Sequence, residues 1–167
     1  MASSPPGLET LLVRLAASGT EFILVGALAG VAQGAPLTTF DVDVVHRRDG
    51  DNLDRLLDFL ASVDARYRGR PSGQVLRPSR EALLGTGHHL LQTDLGPLDV
   101  LGAVEGGRDY ASLLPGAVAI EVGGETVRVL GLPALVELKR GATDAKGRLA
   151  LAVLEATLLR RGGGSPG

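Results

Sequence analysis

Two aspartates two residues apart, Asp41 and Asp43, stand in an apolar, β-branched run, Phe40-Asp41-Val42-Asp43-Val44-Val45. On a strand, residues i and i+2 share a face, so the two carboxylates project together while Val42 and Val44 turn to the core. Like charges side by side on a half-buried strand are costly unless a cation neutralises them. Hard oxygen ligands of this kind suit Mg²⁺ or Mn²⁺. A third carboxylate, Asp99, lies in a second strand-like run, Leu98-Asp99-Val100-Leu101. Three acidic side chains from two strands can hold the metals of a phosphoryl or nucleotidyl transfer site. A D-x-D alone is common and is usually a solvated turn or strand edge. The apolar flanks, the small-residue turn before the pair and the partner carboxylate in another apolar run set this one apart.

The elements that must position these residues follow from periodicity. Leu8, Leu11, Leu12 and Leu15 recur at helical spacing, and Ser18-Gly19 ends that helix. Phe22 to Val25 reads as a short buried strand, and Gly26 to Gln33 as a tight turn feeding a small helix that Gly34-Ala35-Pro36 stops. Thr39 to Val45 is the strand with the acidic pair. Asp49-Gly50-Asp51 is a turn with an N-cap before Leu53, Leu56, Leu57 and Leu60, a helix running to about Ser62. Arg66 to Arg80 is a basic connection broken by Pro and Gly. His88 to Gln92 and Leu98 to Leu101 are paired strands, and Ala117 to Val122 and Thr126 to Leu130 form a hairpin through Gly123-Gly124. Helices over Pro133 to Ala142 and Arg148 to Arg160 close the order α-β-α-β-α-β-β-β-β-α-α. This is a mixed α/β (α+β) arrangement without strict βαβ alternation. It is expected as one domain over residues 1–160, with a Gly-rich, disordered tail over 161–167.

Composition narrows the function. The 167 residues are 44% hydrophobic but only 3% aromatic, so the core is aliphatic. A net charge of −2 gives no overall pull toward nucleic acid or membranes. There is no Cys, which excludes disulfides, zinc–thiolate sites and thiol catalysis, and fits a cytoplasmic protein. Met1 to Thr10 lacks the pattern of a signal peptide. Gly26, Gly30 and Gly34 echo a small-xxx-small membrane helix, but the stretch is too short to span and holds Gln33 and Pro36. The glycines do not spell a dinucleotide fingerprint, and P-loop and G-x-S-x-G motifs are missing. His88 and His89, as neighbours on a strand, point to opposite faces, so at most one enters a given site. The arginines of the basic connection, Arg66, Arg68, Arg70, Arg77 and Arg80, would suit a triphosphate or a polynucleotide backbone, or simply be solvated.

The ordered set Ile23-Leu24-Val25-Gly26-Ala27-Leu28-Ala29, Gly34, and Thr38-Thr39-Phe40-Asp41-Val42-Asp43 resembles the opening of the nucleotidyltransferase superfamily. More narrowly, it resembles small bacterial AbiEii-type proteins. Thr93 to Gly102 is similar to the strand pair that brings the third carboxylate, and Val129 to Arg140 to the segment leading into a C-terminal Lys helix. The resemblance covers about residues 20–156. It implies a mixed, strongly twisted sheet flanked by helices, a nucleoside triphosphate donor and Mg²⁺ (or Mn²⁺) as cofactor. It implies that Asp41 and Asp43 grip the metal on the triphosphate. Asp99 would help with a second metal and activate the acceptor hydroxyl. Gly26, Ala27, Thr38 or Thr39, and Lys139 would be nucleotide-binding positions. The acceptor would be a tRNA end, a protein hydroxyl or a small molecule such as an antibiotic. Two departures stand out. Ala27 replaces a usual Gly or Ser, and the usual Arg-x-Lys-Asp is here Asp144-Ala145-Lys146-Gly147. They open a second reading, a degenerate member that binds a nucleotide or a protein partner. Other readings are a nucleotide-sugar glycosyltransferase using the D-x-D, and a toxin–antitoxin role by analogy with AbiEii.

Overall fold

A computed structural model describes residues 6–163. The helices are α1 (Pro6–Ala17), α2 (Gly26–Ala32), α3 (Gly50–Ser62), α4 (Arg80–Leu84), α5 (Tyr110–Leu113), α6 (Leu132–Lys139) and α7 (Ala145–Gly163). The strands are β1 (Phe22–Val25), β2 (Val42–His46), β3 (Arg66–Tyr67), β4 (His88–Thr93), β5 (Gly96–Leu101), β6 (Ala117–Val122) and β7 (Glu125–Leu130). They form one mixed sheet in the order β3-β4-β5-β2-β1-β7-β6. The pairs β1–β7 and β2–β5 are parallel, and the other neighbours are antiparallel. The expected mixed sheet with flanking helices is therefore what the chain builds.

Local sequence explains most of these elements. Leu8, Leu11, Leu12 and Leu15 of α1 are fully buried, so the apolar stripe of that helix packs into the core. Asp49 caps α3 by accepting a hydrogen bond from the Asn52 backbone N–H at 2.9 Å. Gly123 and Gly124 both take positive φ, +55° and +85°, as the two-residue hairpin turn between β6 and β7 requires. Two buried polar side chains act as clips. Asn52 bonds the Glu21 N–H, the Glu21 carbonyl and the Arg47 carbonyl. Gln33 bonds the Ala29 and Leu130 carbonyls and accepts from the Leu132 N–H, tying α2 to the β7–α6 corner.

Four expectations shift. The acidic strand begins at Val42, not Thr39, so Asp41 sits on a bend just before β2. The basic connection contains the short strand β3, and its last residue, Arg80, opens the short helix α4. Helix α6 ends at Lys139, because Arg140 turns to extended backbone and Gly141 takes φ +90°. Helix α7 continues to Gly163, and residues 164–167 lie outside the described residues. Among the described residues no helix is long and apolar enough to cross a membrane.

Candidate active site

Strands β2 and β5 run parallel with Asp43 directly opposite Asp99. Asp41 precedes β2 by one residue and still faces the same way as Asp43. Asp41, Asp43 and Asp99 each present a carboxylate oxygen, and these oxygens lie within 4.8 Å of one another. All three residues are half-buried. The alternation of the two strands sends Val42, Val44, Leu98 and Val100 to the other face, where all four are fully buried.

Crowding leaves its mark on the acids. Burial pushes the Asp43 carboxyl up to about 8, helped by the negative charges of Asp41 and Asp99 and opposed by Lys139. Burial also raises Asp41, with Asp99 adding to the rise and Arg68 and Lys146 opposing it. A cluster of this kind is short of positive charge. Its donors are hard oxygens on a rigid pair of strands, which matches the demands of Mg²⁺ or Mn²⁺.

Gly26 is the first residue of α2, with φ +72°. A Cβ there would overlap Asp43 Oδ2 and come within 3.0 Å of Asp43 Cγ. The glycine thus has two independent causes, a backbone that L side chains avoid and a carboxylate in the space its side chain would take. Thr39 is buried and spends its hydroxyl on the Asp41 carbonyl at 3.1 Å, fixing the bend that turns Asp41 inward. Thr38 is exposed on the rim instead.

Asp43 opens onto a cleft of about 940 Å³. One wall carries Gly26, Ala27 and Thr38, and the other is made by the end of α6, the Arg140–Asp144 connection and the start of α7. Lys139 and Lys146 both line that second wall. Beyond them the cleft turns apolar, with Leu135, Leu138, Leu149 and Val153. Of the expected nucleotide positions, Gly26, Ala27, Thr38 and Lys139 therefore surround one space, and Thr39 does not enter it.

The two replacements within the second departure, Asp144 and Gly147, prove to be one arrangement. Asp144 Oδ2 accepts from the Gly147 N–H at 3.1 Å, and its carbonyl accepts from the Arg148 N–H. A Cβ at residue 147 would stand 2.7 Å from Asp144 Oδ1 and 2.8 Å from Ala142 Cβ. The cap at 144 and the glycine at 147 fit only together.

Sequence reasoning missed which charges reach the site. Arg68, grouped with four other arginines, donates from Nη2 to Asp99 Oδ1 at 2.7 Å. Arg66 and Arg77 pair with Asp64, and Arg80 with Asp54. Arg68 follows β3 directly, and its N–H bonds the Leu90 carbonyl opposite Asp99. Only that strand pairing distinguishes it, and a two-residue strand leaves no periodic signal. Lys146 carries no such signal either. His88 lines the cleft, while His89 is buried and holds the Tyr67 hydroxyl at 2.7 Å, so the two do point apart.

No family model and no characterised protein matches the sequence. Solved structures do. A Thermotoga maritima protein assigned as a nucleotidyltransferase is 18% identical, with 92% of this chain and 88% of that one aligned at TM-score 0.52. The antibiotic-resistance factor ANT(2'')-Ia, in complex with adenylyl-2''-tobramycin, is 14% identical over 93% of this chain and 95% of that one, at TM-score 0.53. An antigenic nucleotidyltransferase-like protein from Paracoccidioides brasiliensis is 16% identical over 91% and 73%, at TM-score 0.54. With Asp43 and Asp99 on two parallel strands of a seven-stranded mixed sheet, Asp41 on the bend before them, and these neighbours, the chain has the nucleotidyltransferase fold.

Proposed function

We propose that the protein is a metal-dependent nucleotidyltransferase that moves an NMP group from a nucleoside triphosphate to a hydroxyl acceptor. The observation that carries this is the convergence of Asp41, Asp43 and Asp99, with Asp43 opening onto a cleft that Lys139 and Lys146 also line. In the reaction, the acceptor oxygen bonds to the α-phosphorus, the bond to the bridging oxygen breaks, and pyrophosphate leaves. Asp41 and Asp43 would hold the divalent ion, with Asp99 completing a second place. The ion supplies charge neutralisation on the phosphates and the developing oxyanion. Asp99 would also activate the acceptor hydroxyl by taking its proton. Lys139 and Lys146 face the same space and would balance the triphosphate charge. Gly26, Ala27 and Thr38 form the opposing wall, and the apolar end of the cleft suits a base or another flat group.

The acceptor stands among a tRNA end, a protein hydroxyl and a small molecule. One structural neighbour carries an adenylylated aminoglycoside, so small hydroxylated amines are the first acceptors to try. We extend the reading to a cytoplasmic, AbiEii-type protein, with a toxin–antitoxin role belonging to the second reading below. The second reading, a protein that binds nucleotide without turnover, is favoured by Ala27 and by the Asp144–Gly147 arrangement. Incubation with each α-labelled NTP, Mg²⁺ or Mn²⁺ and a cell extract tests both, beside an Asp41→Ala/Asp43→Ala control. Label on an acceptor that the control lacks supports the transferase. Metal-dependent NTP binding without label supports the binding protein. Neither result refutes both and leaves the fold alone.

A further inference from the structure

Arg68 is held more firmly than a surface arginine. Its backbone N–H bonds the Leu90 carbonyl at 2.9 Å, its Nη1 bonds the Leu91 carbonyl at 2.6 Å, and its Nη2 reaches Asp99 Oδ1 at 2.7 Å. The pair is largely shielded, with 30% of the Arg68 and 14% of the Asp99 side chain exposed. Charge-assisted bonds in such places are stronger than exposed ones. Asp99 is thus already served by a cation, whereas no ion pair reaches Asp41 or Asp43 among the described residues. The site is asymmetric before any metal arrives.

Resting on the metal-dependent reading above, we propose that Arg68 is a displaceable counter-ion of Asp99. It positions that carboxylate in the free protein and competes with a second divalent ion for it. The first ion meets the unpaired Asp41 and Asp43. A second ion that uses Asp99 has to break the Arg68 contact. The backbone N–H of Arg68 stays on the Leu90 carbonyl when the side chain lets go, so release is a swing of the planar guanidinium and leaves β3 paired with β4. The protein is therefore expected to load its two cation places in order, with a wide gap in affinity.

Mn²⁺ titration followed by electron paramagnetic resonance and calorimetry on the full chain tests this, with wild type, Arg68→Gln, Arg68→Lys and Lys146→Gln compared. Lys146→Gln is the control for general charge, because Lys146 faces Asp41 without pairing to Asp99. The expected result is that Arg68→Gln tightens the second Mn²⁺ site about tenfold or more relative to the first. Arg68→Lys falls between it and wild type. Lys146→Gln changes the first site at least as much as the second. Matched circular dichroism and melting temperatures confirm that the variants are folded. Equal tightening of both sites in Arg68→Gln, no change, or loss of the second site overturns the proposal. If wild type and Arg68→Gln bind no Mn²⁺ at all, the metal-dependent reading itself fails. Binding by wild type with an unaltered second site in Arg68→Gln defeats only the role given to Arg68.

Discussion

Gly26→Ala is the perturbation whose size the structure sets best. The φ of +72° at Gly26 is one that an L side chain adopts at about 1–2 kcal/mol. The new methyl would also overlap Asp43 Oδ2. Forcing a packed group aside costs about 1–3 kcal/mol more, so the single variant should lose about 2–5 kcal/mol. The two parts separate in a double-mutant cycle. In an Asp43→Ala background the overlapping oxygen is gone and the nearest remaining atom is Cβ, at 3.1 Å. There Gly26→Ala should cost only the backbone share, about 1–2 kcal/mol. Urea unfolding of the four proteins, with m-values checked for equality, gives the coupling energy. Coupling of about 1–3 kcal/mol in the direction of relief is expected. Additivity within about 0.5 kcal/mol would refute the claim that residue 26 is glycine to make room for the Asp43 carboxylate. Mn²⁺ affinity in Gly26→Ala should fall with stability, since the displaced carboxylate is the one that holds the ion.

Four more outcomes can be checked. The Asp43 carboxyl is raised from 3.8 to about 8 by burial, so the folded state binds more protons than the unfolded one between those limits. Metal-free stability should therefore fall as pH rises from 5 to 8, and Asp43→Asn should flatten the slope, as read by urea unfolding in chelator. Mn²⁺ binding at pH 7 should release close to one proton, seen by calorimetry in buffers of different ionisation enthalpy, and a proton count near zero would contradict it. Gly147→Asp should destabilise the protein by about 1–3 kcal/mol through contact with Asp144 and Ala142, and Asp144→Ala by about 1 kcal/mol through loss of the cap, both by thermal unfolding. Lys139→Gln and Lys146→Gln should each weaken Mg²⁺–NTP binding several-fold more than they weaken nucleoside binding, because both lysines line the same wall of the cleft.

The carboxylates were legible in the sequence because strand alternation is a strict rule. Once Asp41 and Asp43 stand two apart among valines, their common face follows, and Asp99 repeats the pattern. The hairpin at Gly123-Gly124 and a helix cap within Asp49-Gly50-Asp51 were legible from equally local patterns. What escaped depends on contacts between distant segments. Thr39 looked like a donor to a nucleotide, yet its hydroxyl closes the bend at Asp41. Arg68 looked like its four neighbours until β3 paired with β4. Gly147 looked like a lost acid, and it is the space that lets Asp144 cap α7. In each case the residue type was visible and its partner was not.

The direct opposition of Asp43 and Asp99 has a consequence for how the molecule forms. The two residues are far apart in sequence, and β2 and β5 join as a parallel pair with α3, β3, α4 and β4 strung between them. Parallel pairing across so long a loop is slow, because loop-closure entropy is lost before the contact rewards it. A slip of one residue would carry Asp99 to the buried face. No local fragment, neither the β1–α2–β2 segment nor the β4–β5 hairpin, contains three carboxylates. Binding at the second cation place, which needs Asp99, is therefore blind to partly folded chains. The fast phases of refolding should leave the second Mn²⁺ place empty, and its filling should time the step in which β2 and β5 lock together.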